Sequence, residues 1–275
     1  MKAQRTTTGR EQACRVALVA FALIQLCLAG FMASSKERHL SASSEDLVDV
    51  EKTINQIHEL NQKGLHQQAI DLLLSSLDKQ PEDSLVRALL VQTFDLFLEQ
   101  EIRDGQRAIA KNKQDINAYT RLAGALELSG DSFRAMEILL TALPENQKSV
   151  DVWSKIARLE LKAGRDREAL DVFREVIRLD SGNSDAINNA AYILARSPNS
   201  RTTELDEAYQ LALKAHKLDK KNPQYLDTLA EVQFRKGNQK EAVDLIEEAL
   251  KIAPEQESLR QQLSRFKVGS ALVAE

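Results

Sequence analysis

Four histidines, two cysteines and 41 acidic side chains are the residues of this 275-residue chain that could do chemistry, and their spacing decides whether they do. A metal site on one helix needs ligands about three or four residues apart, as in paired histidines one turn from each other. His39, His58, His66 and His216 are scattered, and none has a second histidine or cysteine at that spacing; His58 and His66 read as surface residues. Cys14 and Cys27 both fall near the N-terminus, so the rest of the chain has neither a disulfide framework nor thiolate ligands. Adjacent acids such as Glu247 and Glu248 read as a solvated helix face, not as a general acid and base. Gly64, Gly130, Gly164 and Gly237 stand alone, whereas a phosphate cradle needs its glycines clustered ahead of a helix. The chain is therefore predicted not to be an enzyme and to hold no cofactor or metal.

The elements that carry these residues are helical by composition. Hydrophobic residues make up 43% of the chain, enough to fill a core, while aromatics are 5%, with 10 glycines and 5 prolines. A sandwich or barrel needs more tight turns and more aromatic and β-branched strands than that, so an all-α fold is expected. The formal charge of −4 conceals an asymmetry. Residues 1–35 carry Lys2, Arg5, Arg10 and Arg15 against Glu11, which leaves 33 basic and 40 acidic residues, or −7, for the remainder. A body that acidic has no general attraction for nucleic acid or for an anionic lipid surface.

From Val16 to Ala33 the run VALVAFALIQLCLAGFMA contains no charge and one polar residue, Gln25. Its 18 residues lie between the apolar core of a cleaved signal, roughly 7–15 residues, and a membrane span of roughly 17–25. Both an uncleaved anchor and a cleaved signal fit. Basic residues concentrate before the run, so the positive-inside rule places the N-terminus in the cytoplasm and the body outside, in the periplasm of a bacterium. The expectation is an inner-membrane-anchored chain with a periplasmic body, or a cleaved and secreted one.

Self-similarity organises the rest. Tyr119-Thr-Arg-Leu-Ala-Gly-Ala-Leu-Glu-Leu-Ser-Gly130, followed by Ala135, Leu139 and Ala142, returns 34 residues later as Trp153-Ser-Lys-Ile-Ala-Arg-Leu-Glu-Leu-Lys-Ala-Gly164, with Ala169, Phe173 and Val176. A third copy runs from Leu226 to Gly237, then Ala242, Ile246, Ala249 and Pro254, and an earlier one through Ile57, Leu60, Gly64, Ala69, Leu73, Leu77 and Pro81. Each copy reads as two helices: one apolar face, a glycine that ends the first helix, and a small alanine that lets the second approach closely.

These units resemble the tetratricopeptide repeat, in the form found in bacterial envelope proteins. The resemblance covers about Val50–Glu257 and implies a right-handed α-superhelix, a solenoid of about six hairpins closed by a C-terminal helix and preceded by an N-terminal apolar helix. The expected boundaries are 1–35 for the targeting segment, 36–46 for a tether, 47–256 for the array and 257–275 for a capping helix and tail. Within the array the units are 50–81, 82–115, 116–149, 150–183, 184–222 and 223–256. The second, 82–115, is degenerate, with Glu101 in place of the close-packing alanine, and is read as a hairpin of Leu85–Leu98 and Ile102–Lys111. In the fifth, the polar stretch Ser197–Thr203 is expected to be a loop. Leu259, Leu263 and Phe266 mark the buried face of the capping helix.

The resemblance also implies a concave groove lined by the first helix of each hairpin, taking a partner peptide or helix. The helix faces nominate Arg158, Lys162, Asn188, Tyr192, Arg196, Glu231, Phe234 and Arg235 as its lining. Its middle is basic, through Arg158, Lys162 and Arg196, which suits an acidic or carboxylate-bearing segment. The family's carboxylate clamp is not reproduced, since the matching pairs are Thr120 with Gly124 and Ser154 with Arg158. Two functions compete: a membrane-tethered scaffold for an envelope, secretion or polysaccharide assembly, and a chaperone-like holder of unfolded or translocating chains. Self-association through an end hairpin is compatible with either.

Overall fold

The computed structural model describes residues 44–81, 83–197 and 202–271, all helix, turn or loop, with no strand among them. The apolar run 16–33 and the segment 1–35 that contains it lie outside the described residues. Among those described, no helix is long and apolar enough to cross a membrane. The chain divides into two compact units, Met1–Ala135 and Met136–Glu275.

In the first unit, α1 (Ser44–Gln62) and α2 (His66–Lys79) form a hairpin that packs on α3 (Ser84–Lys111), which in turn packs on α4 (Ile116–Leu128). Helix α1 begins inside the stretch read as a tether. Ile57, Ala69, Ile70, Leu73 and Leu77 recur at helical spacing and close on Val86, Leu90, Phe94, Phe97 and Leu98 of α3, with Ala125 of α4 completing the cluster. The expected hairpin at 82–115 is instead one helix of 28 residues. Nothing in Leu98-Glu-Gln-Glu-Ile-Arg103 breaks it: these are mostly good helix formers, and Arg103 pairs with Glu99 one turn back at 3.3 Å. The absent alanine has a physical reading here. Glu101 takes no alanine-like role and accepts instead from Arg121 of α4 at 2.9 Å.

His66 also departs from expectation, being 7% exposed. Asn61 donates its amide to Thr93 Oγ1 at 2.9 Å, so its Oδ1 faces His66 Nδ1 at 3.0 Å and that nitrogen carries the proton. Three helices, α1, α2 and α3, are thus tied through one polar chain whose inner end, Thr93, is fully buried.

The helix α5 (Ser132–Ala142), whose early residues belong to the first unit, runs into a 3₁₀ turn, Leu143–Glu145. The second unit then repeats a simple plan in α6 (Val150–Lys162), α7 (Asp166–Leu179), α8 (Ser184–Arg196), α9 (Thr202–Leu218), α10 (Pro223–Arg235), α11 (Gln239–Ile252) and α12 (Glu257–Ala271). Its first helices start on side-chain caps: Ser149 accepts from Val152 N, Asn183 from Ala186 N and Asn222 from Gln224 N. Such caps satisfy backbone donors that the helix itself leaves open. Helix α6 ends at Gly164, with φ of 73°; its N–H bonds to Leu161 O and the next N–H to Glu160 O, both at 3.0 Å. This Schellman turn demands a left-handed residue and points the chain back along α6. Ala169, Ala208 and Ala242, each fully buried near the start of the second helices, permit the close crossing that follows. The stretch 198–201 of the expected loop lies outside the described residues, and Thr202 and Thr203 already belong to α9.

Candidate functional site

The nominated residues fall on three successive first helices of the second unit. Arg158 and Lys162 stand exposed one turn apart on α6. On α8, Asn188, Tyr192 and Arg196 follow at four-residue spacing, which stacks them along one face. Helix α8 sits between α7, α9 and α10, so its other faces are occupied by core: Ala186, Ala190 and Ile193 join Phe173 and Val176, while Ala191, Leu194 and Ala195 join Ala208 and Ala212.

Tyr192 is half-buried against the cluster that also holds Trp153, whose indole N–H donates to Gln147 O at 2.8 Å. That packing fixes the Tyr192 ring, and the ring fixes Arg196. The guanidinium lies 5.0 Å from the ring centroid and donates through Nη1 to the Tyr192 hydroxyl. Among the described residues its partners are an aromatic face and a phenol, both neutral, so its charge is oriented but not compensated there. Asn188 is buried, and its Oδ1 has no hydrogen-bond partner among the described residues; on α6, at the equivalent place in the preceding repeat, Ser154 is partly exposed but its Oγ atom is buried and equally without one. Unmet polar capacity on buried side chains is uncommon in folded proteins.

The structure covers Glu231 and, in part, Phe234, while Arg235 stays exposed. Glu231 is 6% exposed because α12 covers it. Arg265 donates to its carboxylate, and Gln262 reaches both Glu231, at 3.4 Å, and Asp227, at 3.3 Å. Burial raises the carboxyl pKa of Asp227 above its ordinary value, and the neighbouring Glu231 charge adds to the effect. Phe234 stacks on Phe266 with centroids 4.6 Å apart, and Arg265 lies over both rings at 5.2 and 4.8 Å. Arg235 donates to Ser197 O at 2.9 Å, bracing the end of α8. Helix α12 fills this end through the apolar face the sequence marked: Leu259 and Phe266 are fully buried and Leu263 is partly so. Its polar contacts were missed, although Asp227 and Glu231 one turn apart on α10 and Gln262 and Arg265 on α12 are visibly complementary.

Among the described residues, no group of three or more His, Cys, Asp or Glu could hold a metal ion. The remaining open face is α6 and α8, two neutral-to-basic helix faces with one aromatic anchor.

Comparison with known proteins agrees with this architecture. The family model of the tetratricopeptide repeat matches residues 118–266, 149 of the 275 residues, and the chain belongs to that family. Proteins of this kind are in general protein-binding scaffolds and not enzymes. A TPR repeat-containing protein of Pseudomonas aeruginosa is 26% identical over 182 residues, covering 64% of this chain and 30% of the relative; the chain thus spans less than a third of that protein's length. Among solved structures, YrrB, described as a TPR protein with an unusual peptide-binding site, shares 16% identity and a TM-score of 0.51, over 69% of this chain and 96% of YrrB. Yeast Tom70 gives a TM-score of 0.56 at 19% identity, over 75% of this chain and 44% of Tom70. At such identities the likeness is one of fold.

Proposed function

We propose that this chain is a membrane-tethered scaffold whose α6–α8 face binds an acidic segment of a partner protein in an envelope, secretion or polysaccharide assembly. The observation that carries the reading is Arg196, held in place by Tyr192 while its charge stays uncompensated. A guanidinium positioned in advance loses little entropy when a carboxylate arrives. Arg158 and Lys162 extend the positive field, and Asn188 offers an amide for a peptide backbone. The peptide-binding site ascribed to YrrB supports a groove-bound segment as the class of ligand. The apolar run 16–33 supports the tether, with the body on the periplasmic side.

The test is a titration of the full chain, held in detergent, with acidic, neutral and basic synthetic peptides of equal length. Acidic peptides bind, and Arg158→Glu with Arg196→Glu weakens them by tenfold or more. Equal affinity for all three classes, unchanged by the substitutions, would defeat the reading in favour of a general holder of unfolded chains.

A further inference from the structure

Most arginines in the described part of the molecule already have a carboxylate: Arg103, Arg121, Arg174, Arg178 and Arg265 each form an ion pair. The end of α9 is different. Lys214, Lys217, Lys220 and Lys221 are all exposed, and none of the four ammonium groups has a partner among the described residues. The one acid in this stretch, Asp219, uses its Oδ1 to accept the Lys221 backbone N–H at 3.0 Å. Amid these lysines stands Leu218, 51% exposed. Lys214, Lys217 and Leu218 share a helix face by their three- and four-residue spacing, and Lys220 and Lys221 continue it into the turn before α10.

We propose that the end of α9 and the turn after it form a second interaction surface, whose occupant is an anionic lipid bilayer. Three arguments select a bilayer. First, the cations are lysines, compact charges on flexible stems without the planar fork that reads a single carboxylate in two-point geometry; they suit phosphates spread over a plane. Second, an exposed leucine between lysines matches the interface between headgroups and acyl chains, where apolar side chains are buried and ammonium groups reach out to phosphate. Third, a chain with an 18-residue uncharged run near its N-terminus is equipped to be near a membrane. The acidic remainder of the body does not prevent contact, because repulsion between exposed charges is screened within about 8 Å at physiological salt while the lysines touch the surface. The surface is separate from the α6–α8 face, so peptide titration and lipid contact can fail independently.

The experiment uses the full chain with Cys14→Ser, Cys27→Ser and Gln224→Cys, an exposed position that lines the same shallow depression as Lys221. An environment-sensitive dye on that cysteine is read in phosphatidylcholine vesicles and in vesicles that also contain phosphatidylglycerol. The dye shifts to the blue and becomes protected from an aqueous quencher only with phosphatidylglycerol, and high salt reverses both changes. Each lysine contributes about fivefold to partitioning, so Lys217→Glu with Lys221→Glu abolishes the response, and Leu218→Ser weakens it, with circular-dichroism melting unchanged. The signal reports the patch itself whether or not residues 16–33 insert. A dye equally exposed in both vesicles overturns the proposal, as does one covered by polyglutamate and not by phosphatidylglycerol, which would make the patch a protein site.

Discussion

Gly105 of α3 faces Leu122 of α4 so closely that a β-carbon on it would stand 2.9 Å from Leu122 Cβ and 3.3 Å from Leu122 Cα. Neither atom is the far end of a flexible side chain, so relief requires the helices to part. Alanine normally favours a helix over glycine by up to about 1 kcal/mol, but overpacking of this kind costs about 1–3 kcal/mol. Gly105→Ala is expected to lower stability by about 1 kcal/mol or more, read as the midpoint of chemical denaturation; a raised midpoint would show that α3 and α4 are not in this contact.

The cap helix α12 is tied to α10 by one deep aromatic and one exposed-to-buried ion pair. Phe266→Ala removes a fully buried ring and its stack on Phe234, and is expected to cost about 3–5 kcal/mol. Arg265→Ala is expected to cost less, about 1–2 kcal/mol, since the guanidinium side chain is 47% exposed even though Glu231 is 7% exposed. A double-mutant cycle over Arg265 and Glu231 measures the coupling; a cycle that closes to zero would show that the contact is not made.

His66 makes the first unit sensitive to acid. Burial, with the nearby Arg103 charge, holds its imidazole below the ordinary value of 6.5. The unfolded chain therefore takes up the proton more readily than the fold, and stability is lost as pH falls below about 6.5 toward the lower folded value. Melting curves of the full chain between neutral pH and about pH 5 should show this loss, and His66→Gln should flatten that dependence.

Tyr225 donates to Asp185 Oδ1 at 2.6 Å and lies 3.0 Å from Ser184 Oγ. Burial first, then the Asp185 hydrogen bond, pushes its phenol up to about 12. A raised value means that stability present below the unfolded value, about 10, is lost as pH rises through the folded one. Ultraviolet titration should resolve one late phenol that disappears in Tyr225→Phe.

Asn188→Ala separates binding from stability. Because Asn188 Oδ1 has no donor among the described residues, removing the amide is expected to change stability by no more than about 1 kcal/mol, while weakening an acidic peptide severalfold. A large destabilisation would recast Asn188 as a structural residue.

Much of this molecule is legible in its sequence because the repeat is a local code. A turn glycine such as Gly164 and a close-packing alanine such as Ala169 act within a few residues of one another, so their spacing marks the end of one helix and the buried face of the next. The same holds for Leu259 and Phe266 in α12, whose apolar period marks the side that must be covered. What tertiary structure decided are relations with no local signature. Ser84–Lys111 carries the length of a hairpin, yet nothing between Leu98 and Arg103 breaks it, and its neighbours α2 and α4 pack on one continuous helix. His66 carries no mark of burial until Asn61, close by in sequence, links it to Thr93 of α3, which is distant in the chain. Glu231 and Phe234 sit at groove positions by register, and become interior only because α12 lays Arg265 and Phe266 across them. Periodicity specifies which face of a helix is apolar, but which polar side chains stay open depends on what packs over them, and that is settled by residues tens of positions away.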